Sequence, residues 1–120
     1  MARTPGTYNF RIYIGKLIDE VFTWKDSNGS PLNLTGYSAR FRLVGDANSA
    51  ELLNLTSAGD GQGNGITIGG AAGTIQLTIK SAKTQTLAQQ AARYELELTQ
   101  PSNETIPFLI GEVDIIEGYA

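Results

Sequence analysis

Two pairs of carboxylates lie two residues apart on stretches that alternate polar and apolar: Glu95 with Glu97, and Glu112 with Asp114. Side chains alternate along a strand, so each pair shares a face. Two carboxylates on one face are the minimum for holding a cation or for acid–base work. Asp19 and Glu20 are adjacent instead, so they point to opposite faces and cannot share a proton. Arg40 and Arg42 repeat the two-residue spacing. If their strand neighbours that of Glu95 and Glu97, the four charges pair across the sheet. Such pairing sets strand register and does no catalysis. The ordinary reading of both acidic pairs is a solvated outer face.

The rest of the composition removes most other chemistry. The 120 residues include no cysteine and no histidine. That excludes a disulfide framework, a thiolate metal site, a thiol nucleophile and the serine–histidine hydrolases. The commonest general base at neutral pH is absent too. Net charge is −3, with only nine Lys and Arg. A generic nucleic-acid binder needs a basic face, so no nucleic-acid partner is expected. Apolar runs are too short to span a membrane. The N-terminus lacks the continuous apolar run of a secretory signal, so synthesis in a cytoplasm without export is the expectation.

The loop Asp60-Gly61-Gln62-Gly63-Asn64-Gly65 imitates the start of a calcium loop, but position three is Gln62 and position twelve is Ala71 where a bidentate Glu belongs. It also lacks the Gly-Lys-Ser/Thr ending of a phosphate loop. Its glycines read as a flexible hairpin tip, or as an interaction loop that orders on contact. Asn28, Asn33, Asn54 and Asn103 each open an Asn-x-Ser/Thr triplet, read here as turn chemistry. Trp24 and Tyr13 are the aromatics that would stack on a sugar. Trp24 is in phase with Ile18 and Phe22, which points it at the core or under an edge.

These groups need a scaffold, and the pattern supplies one. Period-two alternation marks strands at 8–14, 18–24, 37–44, 51–56, 66–68, 74–79, 92–99 and 105–116, with a brief extended piece at Leu32 and Leu34. The inner sets are Tyr37, Ala39, Phe41 and Leu43 on one strand and Ile75, Leu77 and Ile79 on another. Asn28-Gly29 and Pro101–Glu104 are turns. Gly111 is expected to mark a bulge or bend. One or two helical turns are expected within 81–90, capped by Ser81 or Thr84.

About eight strands with one short helical turn give an all-β class, and the one-sided alternation favours an immunoglobulin-like β-sandwich over a barrel. The run Ala92-x-Tyr94-x-Leu96 follows the helical segment. It fits either a tyrosine corner, with Leu96 in the place of the usual Cys, or a Tyr packed in a strand.

Several stretches carry a resemblance. They are Thr7-Tyr8-Asn9-Phe10 with Gly15, the "F-x-W-K-D-x-x-G-x-P-x-x-L-T-G-Y" stretch from Phe22 to Tyr37, and "G-I-x-I-x-x-x-x-G-T-I-x-L-T-I" from Gly65 to Ile79. Tyr94-Glu95-Leu96-Glu97-Leu98 and Gly111-Glu112-Val113-Asp114-Ile115 extend it. Together they resemble small virion proteins of tailed bacteriophages, similar to the N-terminal immunoglobulin-like domain of the phage upper baseplate protein. Lys16 departs from the acidic residue often found there, and Ala92-Arg93 from a Gly. The resemblance implies an adaptor or attachment unit of the virion, assembled in the host cytoplasm.

The expectation is therefore a flexible arm at 1–6 and one sandwich domain at 7–120. It is a non-enzymatic structural protein of the tail, baseplate or fibre region. A capsid decoration protein is the alternative, and a carbohydrate-binding module the second. Its partners would be other virion proteins and copies of itself, with no cofactor, metal, membrane or small-molecule substrate. Arg3 and Pro5 in the arm, and Asp60, Gln62 and Asn64 in the loop, are the expected partner-binding residues.

Overall fold

The computed structural model describes residues 6–26, 28–47 and 49–117. Among these it forms nine strands in two sheets. The strands are β1 (Gly6–Thr7), β2 (Phe10–Tyr13), β3 (Ile18–Thr23), β4 (Ser38–Gly45), β5 (Glu51–Thr56), β6 (Gly65–Ile68), β7 (Thr74–Ile79), β8 (Gln90–Thr99) and β9 (Thr105–Ile116). A 3-10 turn covers Gly70–Ala72 and a single helical turn, α1, covers Ser81–Thr84. The larger sheet has the order β1-β9-β8-β4-β5, with β2 also on β9; the smaller runs β3-β7-β6. The chain crosses between sheets after β2, β3, β5 and β7. This is an immunoglobulin-like β-sandwich.

The core is what the alternation predicts. Ala39, Phe41, Leu43, Ile75, Leu77, Ile79, Leu96 and Leu98 are buried between the sheets. They alternate with exposed polar neighbours, for instance Arg40 and Arg42 along β4. Tyr37 is only partly buried and packs on the core's rim.

Four details differ from the sequence expectation. First, the strand expected at 8–14 is two strands, because the chain breaks step at Tyr8 and Asn9. The register on β9 is the same on both sides of the break: Thr7 lies beside Ile110 and Phe10 beside Val113. Gly6, expected in the arm, already pairs with Leu109. Second, Leu32 and Leu34 form no strand. Pro31 makes an isolated bridge to Lys25, and Leu34 is buried with its N–H on Gly70 O. Third, the irregularity in β9 is not at Gly111. The β8–β9 register shifts between Leu96 and Glu97, which leaves Phe108 as the extra residue. Pro107, with no N–H to donate, sits at that bulge.

Fourth, α1 is the one helical turn expected, but neither Ser81 nor Thr84 caps it; Lys80 holds the cap position without a side-chain bond. Thr84 is fully buried instead. Its hydroxyl accepts from Gly15 N (3.0 Å) and lies 2.9 Å from Lys16 O, to which it donates. It thus pins the turn before β3 to the corner before β8.

Candidate functional site

The outer face of the larger sheet gathers most of the residues singled out by spacing. Arg40 lies beside Glu97 and Arg42 beside Glu95, the register the charges predict. Only one of the two ion pairs follows. Arg40 Nε is 3.4 Å from Glu97 Oε1, whereas Arg42 Nε donates to Glu51 Oε2 at 2.7 Å. A bulge between Leu43 and Val44 brings Glu51 beside Val44, diagonal to Arg42. The Arg42 guanidinium holds the Glu51 carboxyl below its ordinary value, chiefly through that hydrogen bond. Arg93 reaches Asp46 at 3.2 Å. Glu95 is left with no ion pair among the described residues.

Glu95 lies beside Ile110, and Arg93 beside Glu112. Ile110 is 40% exposed, unusual for a large apolar side chain in the middle of a sheet face. Around it opens a shallow concavity of about 630 Å³, lined in part by Asn9, Arg42, Arg93, Glu95, Ile110 and Glu112. The acidic pairs Glu95/Glu97 and Glu112/Asp114 therefore share this one face. They do not make a metal centre: no group of three or more acidic side chains converges among the described residues.

The edge of this face is latched by the break at Tyr8 and Asn9. Tyr8 N donates to Ile110 O at 3.0 Å, as a parallel ladder requires. The next bond is exchanged. Glu112 N donates to the Asn9 side-chain Oδ1 at 2.9 Å, and Tyr8 O accepts from the Tyr94 hydroxyl at 2.5 Å. Tyr94 therefore makes no tyrosine corner at α1; its hydroxyl reaches across to the N-terminal segment. Burial pushes its phenol well above the ordinary tyrosine value. The Tyr8 hydroxyl donates to Glu20 Oε1 at 2.9 Å, which ties this segment to β3 of the other sheet.

The expected partner-binding residues lie elsewhere. Arg3 and Pro5 fall outside the described residues. Asp60, Gln62 and Asn64 sit together in the loop between β5 and β6, and they close it. Asp60 Oδ1 accepts from Gln62 N at 2.8 Å and Asn64 N at 3.2 Å, and Oδ2 accepts from Asn64 Nδ2 at 2.7 Å. Those donors, the Asn64 side chain first, hold the Asp60 carboxyl below its ordinary value. Asn64 is buried, and its Oδ1 accepts from Lys80 N at 2.6 Å. The loop expected to be a flexible tip is therefore internally fastened. Asn64 braces it from inside and presents no surface; Gln62 is exposed.

Of the two aromatics considered for sugar stacking, Trp24 packs against the core. Trp24 is half-buried, with its ring 5.4 Å from that of Phe108, the bulge residue. Ile110 and the Tyr8–Asn9 latch are the residues that spacing did not single out. By period two Ile110 is in phase with Phe108 and out of phase with Val113; the bulge at Phe108 is what turns it outward.

No protein-family model matches the chain, and no curated protein matches it. Among solved structures, the chain is similar to one in the crystal structure of Dpr1 IG1 bound to DIP-eta IG1. The identity is 14%, over 94% of this chain and 91% of that one, with a TM-score of 0.47. It is also similar to a chain in a structure concerned with multimeric cell-adhesive interactions of VGSC beta subunits. There the identity is 13%, over 97% of each chain, with a TM-score of 0.43.

Proposed function

We propose that this chain is a non-enzymatic structural subunit of a tailed-bacteriophage virion, an adaptor or attachment unit of the tail, baseplate or fibre region. It works through protein–protein contacts made by the outer face of the larger sheet. The observation that carries the contact surface is Ile110, exposed at the centre of a shallow concavity and ringed by Glu95, Glu112, Arg93 and Arg42. An apolar centre with a charged rim is the anatomy of a protein interface. The virion setting is supported by the resemblance carried by the Phe22–Tyr37 and Gly65–Ile79 stretches. Those motifs correspond to structural roles here: Asp26 Oδ1 accepts from Asn28 N and Ser30 N in the turn after β3.

The test is to locate and count the protein in intact particles by cryo-electron microscopy or quantitative mass spectrometry. A low, symmetric count at the tail is the expected result. A count matching the head lattice would move the protein to capsid decoration. Absence from particles would overturn the virion reading. The contact surface is tested by Ile110→Asp, which is expected to remove the protein from assembled particles while the purified domain keeps its fold. Normal incorporation of that variant would overturn the assigned face.

A further inference from the structure

We propose that β3 is a self-pairing edge. Two copies of this chain join antiparallel along β3, with Val21 on the two-fold axis, and their smaller sheets become one continuous sheet. This concerns a different surface from the face around Ile110, and it stands without the virion reading.

The hydrogen-bond phase of β3 is set on its occupied side. Among the described residues β3 pairs only with β7, from Ile18 beside Ile79 to Thr23 beside Thr74. Trp24 N donates to Gly73 O at 2.8 Å, one step further in the same register. In an antiparallel ladder, residues alternate between spending both backbone groups on the neighbour and turning them away. Trp24, Phe22, Glu20 and Ile18 therefore face β7. Asp19, Val21 and Thr23 turn their N–H and C=O groups to the open edge. Beyond the strand the edge stays open. Lys25 bridges Pro31, with Leu32 N on Trp24 O and Asp26 N on Ser30 O, both at 2.8 Å. That hairpin folds back on the β7 side.

Of the other three edges, β6 is only four residues long, Gly65–Ile68, and the two of the larger sheet are broken or offset. The β1/β2 edge is interrupted at Tyr8 and Asn9. The β5 edge follows a bulge and begins at the charged Glu51. β3 has neither a bulge nor a proline, the devices that ordinarily blunt an edge. Val21, at its centre, is 57% exposed, and Leu17, just before it, is 54% exposed. These are two of the four large apolar side chains exposed among the described residues.

What selects a second copy as the occupant is that the edge complements itself. With Val21 opposite Val21, Asp19 falls opposite Thr23 of the other copy, and Leu17 opposite the aliphatic stem of Lys25. Asp19 is then diagonal to Lys25, an opposite charge within reach. The three outward-turned residues of each copy make about six hydrogen bonds across the axis. Other centres fail. Centring on Asp19 sets two carboxylates face to face, and centring on Glu20 presents backbone groups already spent on β7. Centring on Thr23 puts Val21 against a lysine. Glu20, the charge on the inner side of β3, is held within its own chain by the Tyr8 hydroxyl.

The chain has no cysteine, so single cysteines report the register directly. Across the two-fold, the Cα atoms of a hydrogen-bonded pair lie about 5.5 Å apart, inside the range of a disulfide. Val21→Cys is expected to form a disulfide dimer at least about tenfold faster than Thr23→Cys, because pairing raises the effective concentration of one thiol at the other. Two Thr23 positions would lie roughly 13 Å apart. An equal mixture of Asp19→Cys and Thr23→Cys is expected to give mainly the mixed dimer. Unmodified protein is expected to associate in sedimentation as concentration rises toward millimolar, and Val21→Lys to stay monomeric. Equal cross-linking of Val21→Cys and Thr23→Cys would overturn the proposal. So would a wild-type chain that stays monomeric throughout, including one that pairs only with a strand from a different protein.

Discussion

The two sheets finish their first edge in opposite ways. Along β9 of the larger sheet, the N-terminal segment supplies two short strands and a latch. Tyr8 and Asn9 cross Gly111 and exchange backbone bonds for side-chain ones without losing register. In the smaller sheet, β3 has no neighbour on its outer side among the described residues. The outer faces differ to match. The larger carries Arg40, Arg42, Arg93 and the acids that answer them. The smaller carries Thr23, Thr67, Thr74 and Thr78 beside Val21, and its acid, Asp19, accepts from Gln76 Nε2 at 2.7 Å. Both sheets share one core, so the contrast is not one of burial. The chain spends its N-terminal residues on one sheet and leaves the β3 edge of the other unpaired among the described residues.

The largest effect is expected where the closed edge can be forced open. A Cβ on residue 111 would meet the Tyr8 carbonyl carbon at 2.8 Å, the Asn9 side chain at 2.9 Å and the Tyr8 oxygen closer still. Backbone cannot give way as a side-chain tip can. Gly111→Ala is expected to cost about 3 kcal/mol, the upper end for overpacking, and to detach the N-terminal strands from β9. Denaturant unfolding measures the loss. Hydrogen exchange of the Tyr8 amide against that of β8 shows whether the edge opens first. If exchange rises evenly throughout the molecule, the latch is not a local device.

Tyr94→Phe tests the same latch more gently. It leaves the Tyr8 carbonyl without its donor and is expected to cost about 1–2 kcal/mol. The sign of the pH dependence follows from burial. The folded-state pKa of Tyr94 is raised above the ordinary tyrosine value of 10.0. The stability it contributes is therefore fully present below that value and is lost as pH rises beyond it. Wild-type stability is expected to fall above about pH 10, and more steeply than that of Tyr94→Phe. Parallel alkaline unfolding curves would remove Tyr94 as the cause.

How far these features were legible depends on their range. Alternation along β4 and β7 is a local signal, and it placed Phe41 and Leu77 in the core correctly. The β4–β8 register followed from charge spacing, since Arg40/Arg42 and Glu95/Glu97 have one matched alignment. What a single strand's pattern cannot contain is a third strand's offset. The bulge that brings Glu51 to Arg42 depends on how β5 meets β4. The Tyr8–Asn9 break was hidden for a related reason: the register continues through it, so the alternation from Tyr8 to Ile14 reads as one strand. Gly111 stood out as a glycine, but its cause lay 103 positions away. Loop closure by Asp60 was missed because glycine content was weighed without the Asx bonds that Asp60 makes.

The charged face offers a smaller effect. Arg42→Ala and Glu51→Ala, with the double variant, are expected to show a coupling weaker than the loss at Tyr94, because both side chains are substantially exposed. Added salt should erase it. Glu51 has its folded-state pKa depressed, so what it contributes is present above the ordinary glutamate value of 4.5 and fades as pH falls through it. A coupling that survives high salt would mean that the outer face is held by geometry more than by charge.

Val21→Lys should have the least effect on the isolated domain, and that is its value. Val21 is mostly exposed, touches no described ion pair and lies on the unpaired edge of its sheet. A surface substitution away from any cap, turn or buried bond changes stability by at most about 0.5 kcal/mol. The unfolding midpoint of the monomer should therefore hardly move, while any association along β3 disappears. If the lysine instead destabilises the monomer as strongly as Gly111→Ala does, then β3 is already a working part of the fold. The distinction between a closed sheet and an open one would then fail on its open side. If the monomer is untouched and association is lost, the apolar residue is kept at that edge for a neighbour and not for the core.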